Sequence, residues 1–148
     1  TTGQVHEADI EDIPGMDLVV LWGTNLVSTG VHAMPFVVAA KERGATIVAI
    51  DPRPTRTTAF ADWHIQPRPG TDAALALGMM KIIVDHGLHD EAFLREQTVG
   101  WEALLRDRLP EYTLDRVAEI TGIPAADIER FALLYGRTKK SFIRLNWG

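Results

Sequence analysis

Gly23, Thr24 and Asn25, with Ser28, Thr29 and Gly30, make the loop WGTNLVSTGVH rich in residues that turn a backbone tightly and aim N–H and hydroxyl groups outward. At a helix N-terminus such groups favour an anion, and phosphate is the natural candidate. The glycines do not follow G-x-G-x-x-G, which argues against an ordinary nicotinamide or flavin fingerprint. A plain strand-to-helix turn, with Asn25 or Thr29 as the cap, explains the same residues. A second polar stretch, DPRPTRTTAFADWHIQPRPGTDAAL, runs from Asp51 to Leu75. Asp51 stands just past an apolar run, where a nucleotide-binding fold places a carboxylate on ribose hydroxyls. Arg53 can fork onto phosphate, Thr55 and Thr57 add hydroxyl donors, and Pro52 and Pro54 stiffen the backbone between them. The competing readings are a turn residue for Asp51 and solvated charges for Arg53 and Arg56. Thr71 and Asp72 stand where a helix begins, so capping accounts for both; a carboxylate there would also accept from the adjacent N–H donors of a purine carrying a 2-amino group.

The elements that must position these loops alternate. The runs 17–22 (DLVVLW) and 46–50 (TIVAI) are short, β-branched and apolar, as a parallel strand covered on both faces requires. Between them VHAMPFVVAAKERG has helical length, with Gly44 as its stop, and completes a right-handed βαβ unit whose loops leave the carboxyl ends of both strands on one edge. WHIQ (63–66) predicts a weaker third strand, with Asp62 and Trp63 fixing its entry. TDAALALGMMKIIVDHG predicts an amphipathic helix presenting Leu75, Met79, Ile82 and Ile83. The rest is mainly helical: short segments over DEAFLREQT, GWEALLRDRL and TLDRVAEITG, then a longer one with Pro124 in its first turn and Ile128, Phe131, Ala132 and Tyr135 on one face. SFIRLNWG predicts a further strand. The expected fold is α/β: a Rossmann-like, doubly wound, mainly parallel sheet with helices on both faces and a helical C-terminal half.

Composition narrows the chemistry. The 148 residues, 46% hydrophobic and 24% charged, suit one globular domain, and 1–148 is expected to be a single cofactor-binding domain. A net charge of -5 supplies no basic field for nucleic acid, and no apolar run approaches a membrane span. There are no cysteines, so disulfides, thiolate metal sites, iron–sulfur ligation and a Cys nucleophile are excluded within this chain. His6, His32, His64, His86 and His89 show no metal-ligand spacing, and His64 suits a half-buried strand position. The polar start without Met suggests a segment of something longer.

These residues resemble a known family. LVVLWGTNLVSTGVH, GATIVAIDPRPTRTTAFADWHIQPRPGTDAALALGMMKIIV and TGIPAADIERFALLYGRTKKSFIRLNWG are together similar to the third domain of the molybdenum and tungsten oxidoreductases that carry bis(molybdopterin guanine dinucleotide): the formate dehydrogenase, nitrate reductase and dimethyl sulfoxide reductase group. The similarity runs from about Asp17 to Gly148 and rests on three loops in order: WGTN, then DPR with T-x-T and AD, then PGTDAAL. It implies that Gly23, Thr24 and Asn25 approach a pyrophosphate, that Asp51 and Arg53 serve the nucleoside end with Pro52 and Thr55 in the same cofactor-binding loop, and that Gly70, Thr71 and Asp72 meet guanine or ribose. Where many members have His-Pro after the first loop this chain has Gly30-Val31, and Thr58 stands where Ala is frequent. The family's metal ligand and its N-terminal iron–sulfur cysteines lie upstream of this stretch.

The resemblance implies a cofactor-binding part of a formate dehydrogenase-like enzyme that moves two electrons, with an iron–sulfur cluster elsewhere in the parent. No catalytic and no metal-ligating residue is expected here, and the isolated chain is expected to bind without catalysing. Expected partners are the remaining domains of the parent and electron-transfer subunits, with no nucleic acid and no membrane insertion; the cytoplasm is favoured over the periplasm. Three other readings stay open: a structural domain of a respiratory complex lacking the molybdenum cofactor, a stand-alone NAD module, and a domain whose loops bind a protein.

Overall fold

The protein is described here by a computed structural model covering residues 8–145. His6 and the end of the expected last strand, Asn146 to Gly148, lie outside the described residues. The chain divides into two compact units, Thr1–Ile65 with Lys140–Gly148, and Gln66–Lys139.

The first unit is built on a parallel sheet of four strands, β1 (Leu18–Trp22), β2 (Thr46–Ile50), β3 (Trp63–Ile65) and β4 (Ser141–Leu145), in the order β3-β2-β1-β4. Side chains alternate across a sheet, so a strand buried on both faces must be apolar at every position. Val19, Leu21, Ile47, Ala49 and Phe142 join one core cluster with Ile13, Val37 and Ala40, and the alternate set Leu18, Val20, Val48 and Ile50 is buried as well. Full burial of each large aliphatic residue stabilises by about 1.5–3 kcal/mol, which is why two five-residue runs suffice to found the sheet. The strands end almost where the sequence predicted.

The connections are more broken than the periodicity suggests. After β1 comes a single turn of helix, α1 (Leu26–Thr29), then a 3-10 turn (Val31–Ala33), then α2 (Met34–Glu42), whose exit is closed by Gly44 at φ +97°. A 3-10 segment, Ile10–Gly15, is capped by Asp9, whose carboxylate accepts from Glu11 N–H at 2.9 Å; it sets Ile13 into the core beside α2. After β2, α3 (Arg56–Phe60) is fixed by Thr55 and Thr58, which exchange hydrogen bonds between side chain and backbone in a reciprocal cap.

The second unit is helical: α4 (Asp72–Asp85), α5 (Glu91–Gln97), α6 (Trp101–Ala103), α7 (Leu114–Thr121) and α8 (Ala125–Arg137). α4, α7 and α8 pack on one another, their buried positions including Leu75, Met79, Ile82, Val117, Ile128, Phe131 and Ala132. Ile83 is half-buried on the expected face, and Gly78 takes a core position because α4 meets α7 there without room for a side chain. One expectation is corrected. Pro124 is the residue before α8, not within its first turn: the Asp127 and Ile128 N–H groups both bond its carbonyl. The segment GWEALLRDRL is one turn of α6 opening into a wider π turn, Leu104–Arg108, and a 3-10 turn, Leu109–Glu111.

Candidate functional site

The strand register sets the site. Trp22 stands beside Ile50 on one side and Leu145 on the other, and Ile50 stands beside Ile65. All four parallel strands therefore finish on one edge. From β1 the chain moves outward through β2 to β3, and β4 lies on the opposite side of β1. A sheet that reverses in this way opens a crevice beyond the carboxyl ends of the two strands at the reversal, and α/β folds bind ligands there. The loop after β1, which holds Gly23, Thr24 and Asn25, starts at that point.

Gly23 turns the chain at φ +61°, a conformation costly for any residue with a Cβ, and the direction its side chain would take is open space. Its own N–H continues the ladder to Ile50 O at 2.8 Å. The N–H groups of Val27, Ser28, Thr29 and Gly30 also donate within the chain, so the outward-pointing amides expected of this loop are not those four. Gly23 contributes its bare, exposed backbone. Thr24 is buried, and the half-buried Asn25 stands at the start of α1 without capping it. Thr29 is no N-cap either; its hydroxyl donates to Asn25 O at 3.0 Å.

After β2, Asp51 closes a tight turn: Arg53 N–H donates to its Oδ1 at 2.8 Å, and its carbonyl accepts from His64 Nε2 at 2.8 Å. That carbonyl can only accept, so Nε2 carries a proton and His64 is a β3 residue pinning the β2 loop. The turn-residue reading and the ligand reading of Asp51 are compatible, because the turn uses one of two carboxylate oxygens. Pro52 and Arg53 are exposed at its tip. Thr55 caps α3, and Thr57, expected as a hydroxyl donor to a ligand, has no exposed surface. Its Oγ1 accepts from Val27 N–H at 3.1 Å and donates to Asn25 Oδ1 at 2.8 Å, binding the β1 loop to α3. The structure thus ties Asn25 to α3 through Thr57.

In the second unit, Gly70 turns at φ +80° with open space in its Cβ direction, Thr71 donates through Oγ1 to Arg68 O at 2.7 Å, and Asp72 opens α4. Thr71 therefore makes a turn with Arg68 in place of the side-chain cap expected of it. Arg68, which sequence reasoning passed over, anchors this loop. Its backbone N–H bonds Thr121 O at 2.8 Å and its guanidinium bonds the carbonyls of Glu119 and Ile120, the unpaired end of α7. The signal was a lone Arg between two prolines, and nothing in spacing named a helix end as its partner.

The whole of this arrangement lies within a recognised family. Residues 1–147 match the family model described as molybdopterin oxidoreductase. The chain belongs to the molybdopterin oxidoreductase family. Among curated relatives, the "Probable oxidoreductase YoaE" of Bacillus subtilis is 46% identical over all of this chain and 22% of its own length. The assimilatory nitrate reductase catalytic subunit of the same organism is 41% identical over 86% of this chain and 18% of its own. Formate dehydrogenase H of Escherichia coli is 34% identical over 94% of this chain and 19% of its own. The solved structure of acetylene hydratase from Pelobacter acetylenicus superposes with a TM-score of 0.81 at 32% identity, covering 93% of this chain and 20% of that one. The chain thus spans about a fifth of the length of the relatives it matches. The α/β fold agrees with that neighbour, and membership of a molybdopterin oxidoreductase family implies a molybdopterin cofactor with molybdenum or tungsten.

The residues present fit part of such a group. Within the sheet unit Gly23 leaves room where a side chain would block close approach to backbone, and the β1 and β2 loops supply an amide, a guanidinium and a carboxylate. These are the donors and acceptors that a diphosphate and a sugar need.

Proposed function

We propose that this chain binds one guanine dinucleotide arm of a molybdopterin cofactor within a formate dehydrogenase- or nitrate reductase-like oxidoreductase. The observation that carries the proposal is the placing of Gly23, Asn25, Asp51 and Arg53 on the loops at the carboxyl edge of a parallel sheet whose order reverses at β1. The breadth of the relatives supports it. A nitrate reductase, a formate dehydrogenase and an acetylene hydratase differ in the reaction their names state, yet each resembles most of this chain. A part shared across different reactions is best suited to a cofactor they have in common.

In this reading Asn25 and Arg53 hold the diphosphate, Asp51 accepts from sugar hydroxyls, and Thr24 contributes backbone. Pro52 and Thr55 hold the β2 loop in shape, the latter by capping α3. Gly70, Thr71 and Asp72 meet the guanine or ribose, where a carboxylate accepts from the N–H donors of the base. The bound group supplies two-electron chemistry at its metal, and an iron–sulfur cluster and the metal ligand belong to the rest of the parent enzyme, as do the electron-transfer partners. This chain's task is to hold and orient.

The test is a titration of isotopically labelled chain with GDP and, separately, with NAD, following backbone amides. Saturable shifts at Gly23, Asn25, Asp51 and Asp72 with GDP alone are expected. Equal or stronger shifts with NAD, or none with GDP, would overturn the guanine dinucleotide assignment.

A further inference from the structure

We infer that Thr57 is a positioning residue that decides which end of the Asn25 amide a ligand meets. The two ends of an Asn side chain have nearly the same shape, so the hydrogen-bond network must choose between them. A hydroxyl has one proton to give and two lone pairs. Thr57 Oγ1 spends a lone pair on Val27 N–H at 3.1 Å, and its proton goes to Asn25 Oδ1 at 2.8 Å. Turning the amide over would aim a second donor at Oγ1 and leave the proton of a residue with no exposed surface without that acceptor. The carbonyl end of Asn25 is therefore held inward, and the Nδ2 amino group is the end left for the loop opening.

The consequence is chemical selectivity. An amino group presents donors only, so this position suits a ligand rich in acceptors, such as a diphosphate, and disfavours one presenting N–H or O–H. Thr57 never touches the ligand; it acts through Asn25. The contact between Asn25 and a diphosphate rests on the function proposed above, whereas the orientation of the amide stands on this chain's own hydrogen bonds.

Two variants and two readouts separate these claims. Thr57→Val keeps the shape and removes the hydroxyl, and Thr57→Ser restores it. In the ligand-free chain, the Val27 amide should exchange at least about tenfold faster in Thr57→Val than in the wild type, and the Asn25 side-chain N–H resonances should move; Thr57→Ser should match the wild type. The amides of β1 and β2 report that the sheet is intact. Unchanged Val27 exchange and unmoved Asn25 resonances in Thr57→Val would overturn the orientation. For the ligand, Asn25→Asp keeps an acceptor for Thr57 and replaces the donors with a carboxylate oxygen. GDP affinity should fall at least about tenfold while Val27 stays protected, and wild-type affinity in Asn25→Asp would overturn the donor role. If GDP shifts nothing in the wild type, the ligand reading and the role of Asn25 toward it fail together, and the exchange comparison still decides the orientation.

Discussion

The carboxylate of Asp62 begins the β2–β3 ladder one residue before β3 does. Its backbone N–H donates to Ile47 O at 2.8 Å, and Ile47 N–H donates back to its Oδ2 at 2.8 Å, while Lys41 Nζ sits 2.9 Å from Oδ1. Ile47 is fully buried, so Asp62→Ala would leave an N–H without its acceptor and should cost about 1–3 kcal/mol in a denaturant titration. Asp62→Asn keeps one oxygen for Ile47 N–H and loses the charge and the acceptor that face Lys41; both partners of that ion pair are about a third or more exposed, so its cost should stay under about 1 kcal/mol. Burial pushes the Asp62 carboxyl up, but the Ile47 N–H and the hydrogen bond and charge of Lys41 outweigh it and hold the pKa below the ordinary 3.8. A lowered folded-state value stabilises the protein above pH 3.8 and ceases to do so as pH falls through it. The stability gap between wild type and Asp62→Asn should therefore close on acidification below pH 3.8; a gap that persists at lower pH would refute the assignment. At this scale the residues were legible and their partners were not. Asp62 was legible as the entry to β3, and Asp51 as a residue at a strand end. That Thr57 faces Asn25 and Val27 is a contact across thirty residues, which no local pattern encodes.

Helix crossings obey a different logic, in which the missing side chain is the informative one. A Cβ on Gly78 would stand 2.7 and 2.9 Å from the two methyl carbons of Val117, which is buried and β-branched and cannot swing aside. Gly78→Ala gains about 1 kcal/mol of helix propensity, but overpacking of this kind costs about 1–3 kcal/mol, so a net loss of stability is expected. The clash has a single named partner, and adding Val117→Ala should recover part of the loss; strict additivity of the two changes in the denaturation midpoint would show that the crossing tolerates a methyl. Gly122 makes the matching case at a helix end. It closes α7 at φ +74°, and a Cβ there would press on the Arg68 guanidinium at 3.1 Å, so Gly122→Ala strains backbone and anchor together. The strands and α4 were legible because burial on two faces, or on one stripe, leaves a periodic record. Gly78 left none: in a sequence it is merely a weak helix residue, and only the α4–α7 approach makes it necessary. The reciprocal cap of Thr55 and Thr58 was hidden in the same way, since T-x-x-T lacks the acidic third position that marks such caps.

For the whole enzyme, the division of labour among relatives sets the expectation. Proteins named for nitrate, formate and acetylene chemistry share this stretch while it makes up about a fifth of each. If the stretch binds cofactor, damage to it should change how much enzyme is loaded and leave the choice of substrate alone. Asp51→Asn is the suitable probe. The amide keeps an oxygen for Arg53 N–H, so the turn survives, while the charge that the proposed reading turns toward sugar hydroxyls is lost. Introduced into a full-length member carrying this chain, it should lower molybdenum or tungsten content and total activity in proportion, with a loss of cofactor affinity on the order of tenfold from one charge-assisted hydrogen bond. Activity per bound metal and KM for substrate should hold steady, because a uniform change in loading alters the number of working sites and not their chemistry. A variant that is fully loaded but has a raised KM would move this chain from the cofactor to the substrate side of the enzyme. Full loading with unchanged kinetics would instead confine Asp51 to the turn it makes with Arg53.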